Sequence, residues 1–174
     1  ISYLENKGVS AQGVELNQEK VIKCLEKGLD VIHGDINLIV EDFPFNQFDY
    51  CLLTQTIQAV QKPDKLLNTL KKVSKNIIVS FNNSARLSKI SNFLLSGSFD
   101  SLLKKADSDH WYNTDYIHPC SIKDFKKLAT NLDLKIISTF DVINQRKFEI
   151  LLNRAELLKL TIIFLLTFLR VFNN

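Results

Sequence analysis

The chain has 174 residues, of which 45% are hydrophobic and 24% charged, with a formal net charge of +3. This is the mix of a globular chain long enough to bury a core, and it excludes a disordered one. The small charge is spread without a long lysine–arginine block and gives no argument for a nucleic-acid partner. Cys24, Cys51 and Cys120 are odd in number and far apart, with neither metal nor disulfide spacing, so a reducing, cytoplasmic setting is expected.

In chain order, "ISYLENKG" reads as the last turns of a helix stopped by Gly8. The sequence contains no methionine, which predicts that its N-terminal end lies upstream of Ile1. "VSAQGVEL" reads as a strand. "NQEKVIKCLEKG" reads as a helix capped by Asn17, with Val21, Ile22 and Leu25 on one face and Gly28 at its end. "LDVIHGD" is a short strand. Phe48–Leu53 is almost continuously apolar, as a strand buried on both faces of a parallel sheet must be. "KPDKLLNTLKKVSK" is a helix with Pro63 in its first turn and a stripe of Leu66, Leu67, Leu70 and Val73. "NIIVSF" is a fourth strand, and "SARLSKISNFLLSG" a helix ending at Gly97. "SIKDFKKLATNL" is a helix with Ser121 and Asp124 at capping-box spacing. "DLKIISTFDVI" is expected to be a fifth strand.

The tail is apolar over 157–172. Its uncharged run, Leu160–Leu169, would span about 15 Å as a helix, against roughly 30 Å of bilayer hydrocarbon. No transmembrane segment is expected, and a last buried strand is preferred to an interfacial helix. Strand and helix alternate throughout, the pattern of a doubly wound α/β sheet, expected here as one domain over 1–174.

Several residues could carry chemistry. Glu15 ends a strand, and in open α/β sheets the carboxyl ends of the strands face the ligand crevice. A carboxylate there can accept bonds from both hydroxyls of a ribose, in nicotinamide or S-adenosylmethionine (SAM) proteins alike; a solvated strand end is the plainer alternative. Asp35 follows the next strand in "HGD". Gly34 would leave room for a flat ring, Asp35 could accept from an adenine amino group, and the Ile36 N–H could donate to the ring. An ordinary Gly-Asp turn is again the alternative. Thr54, Gln55 and Thr56 are expected to open onto the same crevice. "SDHWYNTDYIHPC" (Ser108–Cys120) holds His110, Trp111, Tyr112, Tyr116 and His118 outside the strand–helix rhythm, where a lid or substrate wall containing Trp111 and Tyr112 is expected. His110 and His118 are candidates for acid–base work, against a reading in which each is bonded to backbone. Walker, nucleophile-elbow and metal-ligand patterns are absent from the sequence, and so is a glycine-rich phosphate loop.

The blocks "GVELNQEKVIKCLEKGLDVIHGD", "FDYCLLTQTIQAVQKPDKLL", "IIVSFNN" and "HWYNTDYIHPCSIKDF" resemble the MetW family of methionine biosynthesis. Its fold is that of the class I SAM-dependent methyltransferases, a Rossmann-like, mostly parallel sheet. The resemblance runs from about Ile1 to Asp141. It implies seven strands with a final antiparallel hairpin, a SAM or S-adenosylhomocysteine ribose held at Glu15 and Leu16, adenine at Asp35 and Ile36, and Gln55 at the crevice edge. It also implies a role beside a MetX-type homoserine O-acyltransferase. A SAM-dependent small-molecule methyltransferase is the alternative, with His110 or His118 taking the acceptor's proton. A nicotinamide-dependent oxidoreductase would explain Glu15 but neither "HGD" nor the aromatic loop.

The family's opening strand and glycine-rich loop have no counterpart here. That strand lies between those carrying Glu15 and Tyr50. A gap in the sheet is therefore expected, with lowered stability and weak or no SAM binding.

Overall fold

Leu66, Leu67, Leu70 and Val73 recur at helical spacing, and in the computed structural model they form the buried face of a helix over Pro63–Val73. The structure describes residues 1–100, 110–112, 114, 116–139 and the backbone of 161–165. Its elements are α1 (Ser2–Glu5), β1 (Ser10–Glu15), α2 (Gln18–Leu25), β2 (Val31–His33) and α3 (Ile36–Ile39), which runs into a 3-10 turn at Val40–Asp42. Then come β3 (Phe48–Thr54), α4 (Pro63–Val73), β4 (Ser74–Ser80), α5 (Leu87–Ser96), α6 (Ile122–Asn131) and β5 (Thr161–Leu165).

The five strands form one sheet in the order β2-β1-β5-β3-β4, every pair parallel. Alternation along the strands sends side chains to both faces. Val14, Cys51 and Leu53 pack with Leu66, Leu67 and Leu70 of α4 on one face. Ala11, Leu52 and Val31 pack with Leu4 of α1 and Val21 of α2 on the other. Cys51 lies at the centre of the first cluster, where burial pushes its thiol up to about 12 and leaves it an inert apolar filler.

Local signals fall where the residues predict them. The Asn17 side chain accepts the Lys20 N–H at 3.1 Å and caps α2. Ser121 and Asp124 make both bonds of a capping box at the start of α6. Gly97 ends α5 in the left-handed conformation at φ +65°. The short α3 and its 3-10 turn were not foreseen, because four residues carry too little periodicity to read.

Two expectations are corrected. The sheet has no gap: β5 pairs with β1 from Ser10↔Thr161 to Val14↔Leu165, and with β3 from Tyr50↔Ile162 to Leu53↔Leu165. Both inner edges would otherwise present unpaired amides and carbonyls, and a strand-forming run of Thr, Ile and Phe supplies the missing ladder. Thr161–Leu165 of the tail thus form a strand, and a central one; 157–160 and 166–172 lie outside the described residues. The described residues hold five strands, all parallel; the further strands and antiparallel hairpin that the resemblance implies bear on residues outside the described ones. The second correction concerns the strand expected over "DLKIISTFDVI", which is absent from Leu134 to Thr139, its remainder lying outside the described residues. Asp133 turns the chain at φ +55°, and the Leu134 N–H bonds back to the Ala129 carbonyl at 2.9 Å. Leu134 therefore packs under α6, and among the described residues β4 is the sheet edge.

Candidate functional site

In a parallel sheet all the carboxyl ends lie along one edge. Here β1 connects outward to β2, and β3 connects outward to β4, so the winding reverses between β1 and β3, at β5. Crevices for ligands form at such a reversal, outside the carboxyl ends. Val14 and Leu53 both stand opposite Leu165, which sets Glu15 level with Thr54. Two strand spacings, about 10 Å, separate the flanks.

Glu15 ends β1 and is buried. Its Oε1 accepts the Asn17 N–H at 2.9 Å. Oε2 stands outside that bond. The adjoining Leu16 is exposed, and His33 Nε2 donates to its carbonyl at 3.1 Å. The Gly34 N–H donates to the Glu15 carbonyl at 3.0 Å, so Asp35 follows directly on a backbone contact with Glu15. The two acids thus stand on neighbouring strand tips.

Asp35 serves the fold as well as any ligand. Its Oδ1 accepts the Asn37 N–H at 2.8 Å and the Asn37 side-chain amide at 2.7 Å, capping α3 and leaving Oδ2 outside both bonds. Ile36, next in the chain, is buried in the core under α4. The room at Gly34 is not an open slot. A Cβ there would meet Ile39 Cδ1 and Cγ1, so the glycine admits a side chain of α3 rather than a ring.

Across the reversal, Gln55 leaves β3 at φ +57°, a conformation L residues rarely adopt. Its N–H donates to the Ser80 carbonyl at 2.9 Å, and its Oε1 accepts from Tyr116 Oη at 3.2 Å. Thr56, expected to open onto the crevice, does not. It is fully buried and donates back to the Thr54 carbonyl at 3.2 Å.

Gln58 is the residue the sequence did not single out. It is 1% exposed. Its Oε1 accepts the Asn82 N–H at 2.8 Å, and its Nε2 donates to the Asn82 carbonyl at 3.1 Å and to the His118 carbonyl at 3.4 Å. Its own carbonyl accepts from Ile117 and His118, each at 3.0 Å. One side chain thus ties the segments after β3 and β4 to the aromatic loop. A glutamine inside an otherwise apolar, helix-entering run was the available signal.

Within that loop, His118 Nε2 donates to the Gln61 carbonyl at 3.2 Å. His110 Nδ1 lies 3.5 Å from Asp100 Oδ2, and its ring stacks on Tyr112 with centroids 5.3 Å apart. Both histidines therefore have structural partners. Trp111 meets Tyr112 edge-on at 5.8 Å, and both are largely exposed. Phe99, Trp111, Tyr112, Tyr116, Ile117 and Pro119 line an open cavity of about 490 Å³. Tyr116 links its wall to Gln55. Ser108, Asp109, Asn113 and Asp115 of the loop lie outside the described residues. Among the described residues there is no cluster of metal ligands and no helix long and apolar enough to cross a membrane.

Comparison with known proteins fits this arrangement. A SAM-dependent methyltransferase from Archaeoglobus fulgidus superposes with a TM-score of 0.56 at 14% identity, over 86% of this chain and 69% of that one. A SAM-dependent methyltransferase from Thermotoga maritima, described as a possible histamine N-methyltransferase, superposes with a TM-score of 0.52 at 15% identity, over 75% and 56%. These likenesses establish the Rossmann-like methyltransferase fold. The bifunctional methionine biosynthesis protein MetXA/MetW of Rhodopirellula baltica is 33% identical over 124 residues, which cover 71% of this chain. The match spans 20% of that relative's length. The family described as "Methionine biosynthesis protein MetW" matches residues 1–166, and this chain belongs to it.

Proposed function

We propose that this MetW-family chain acts in methionine biosynthesis as a nucleoside-binding partner of a MetX-type homoserine O-acyltransferase. The observation that carries the reading is the Rhodopirellula relative, in which a MetW part and a MetXA part share one polypeptide. Covalent linkage keeps two modules at high mutual concentration, which is useful when they act together.

The ligand reading rests on the paired acids. Glu15 stands at the reversal point with Oε2 outside its bond to Asn17, where it suits a ribose diol, and Asp35 Oδ2 stands one strand away for an adenine amino group. Leu16 and the Ile36 N–H border the same nucleoside position, and Gln55 bounds it on the β3 side. The paired acids serve the nucleoside half, which SAM, S-adenosylhomocysteine and adenosine share.

Two measurements test the proposal. The purified chain should co-elute with homoserine O-acyltransferase and change its rate; a chain that does neither defeats the partner assignment. In calorimetry, Glu15→Ala should lower adenosine affinity about tenfold, the scale of one lost charge-assisted bond. Unchanged affinity removes Glu15 from the ligand site. A methyltransferase role has the fold alone behind it, and transfer of label from SAM that survives His118→Ala would exclude that histidine as the base.

A further inference from the structure

Helix α5 is turned the wrong way for a helix of an isolated protein. Leu87, Leu94 and Leu95 are 83%, 75% and 87% exposed, and none of its residues is buried. Its half-covered positions are Lys89 and Phe93. A surface helix normally sets its apolar stripe against the core and its lysines in water. Here the leucines face out, and burial, with the charge of Arg86 nearby, lowers the pKa of Lys89.

The exposed apolar surface extends beyond the helix. Phe93 packs on Phe99 with centroids 5.1 Å apart, and Asp100 Oδ1 accepts the Trp111 N–H at 2.8 Å. The helix and the aromatic loop are thereby joined. Among the described residues, eight of the seventeen exposed large apolar side chains fall between Leu87 and Ile117. Contiguous exposure of this kind marks an interaction surface. Trp111 and Tyr112 are of the types that dominate binding energy at interfaces.

We propose that the outward face of α5, together with Trp111 and Tyr112, is the surface on which the homoserine O-acyltransferase docks. This rests on the function proposed above. The occupant is argued from the same relative. Most of its chain lies outside the matched segment and carries the MetXA part, so a large folded neighbour is tethered to this fold. The docking face adjoins the crevice through Tyr116, which lines the aromatic cavity and bonds Gln55.

The test is calorimetric titration of the full chain with purified homoserine O-acyltransferase from the same genome. The variants are Leu94→Asp/Leu95→Asp and Trp111→Ala, with Phe45→Asp as control. Phe45 is 76% exposed and precedes β3, at the opposite edge of the sheet. All of these side chains are exposed, so thermal stability should change little. At least tenfold weaker binding by the α5 and Trp111 variants, with the control unchanged, supports the docking face. Equal binding by all variants overturns it and leaves the partner assignment standing. Absence of binding by the unaltered chain overturns both. If sedimentation shows a dimer that Leu94→Asp/Leu95→Asp disperses while acyltransferase affinity is unaltered, the face belongs to a second copy and the proposal is wrong.

Discussion

Tyr116 Oη donates to Gln55 Oε1 at 3.2 Å, joining the aromatic loop to the residue that leaves β3 in a left-handed conformation. Removing the hydroxyl by Tyr116→Phe should cost about 0.5–1.5 kcal/mol, the net worth of one hydrogen bond. Gln55→Gly should be better tolerated than Gln55→Val, because glycine adopts φ +57° without strain and a β-branched residue does not. Urea unfolding of the three variants checks both. A valine variant as stable as the glycine variant would contradict the backbone assignment.

Gln58 makes a larger claim on stability. Truncation to alanine leaves the Asn82 N–H, the Asn82 carbonyl and the His118 carbonyl without their side-chain partner. Unpaired, partly buried polar groups and the cavity left by the buried side chain should cost about 2–4 kcal/mol. Gln58→Glu keeps the acceptor and loses the donor, so it should also destabilise. Denaturant midpoints measure this, and a shift within error for both variants would mean the three segments are held together otherwise.

The central position of β5 predicts an asymmetric sensitivity. Ile163 stands opposite Gln12 on one side and Cys51 on the other. Proline there removes a ladder donor between two strands and should cost about 3 kcal/mol or more. Circular dichroism melts of Ile163→Pro test this. A melting temperature equal to that of the unaltered chain would remove residues 161–165 from the sheet.

At the start of α6, the Ser121 hydroxyl and backbone N–H both bond Asp124 Oδ2, and together they hold its carboxyl below the usual carboxylate range. A carboxyl depressed in the folded state adds stability above its unfolded value of about 4. That stability is lost as pH falls through the folded value. Melting temperatures of the unaltered chain and Asp124→Asn should therefore differ near neutrality and converge in acid. A difference that persists unchanged in strong acid would show that the carboxylate charge is not what matters.

Local chemistry was legible residue by residue. Asn17, Pro63, Gly97 and the Ser121–Asp124 pair act within one turn of where they stand, so their roles follow from composition and spacing alone. The continuous apolar run at Phe48–Leu53 announced a strand buried on both faces for the same reason. The acids at 15 and 35 could be placed at strand ends, and the resemblance of four blocks to MetW identified the family.

What the tertiary structure decided concerns partners distant in the chain. Nothing local to "TIIFL" says that it enters between β1 and β3, because that place is set by two edges more than a hundred residues upstream that need a ladder. Gln58 looks like any glutamine until Asn82 and His118 arrive beside it. The periodicity of α5 marks an apolar stripe but not its direction. Only the packed sheet shows that Leu87, Leu94 and Leu95 face outward, since burial is a property of what surrounds a residue and not of the residue itself.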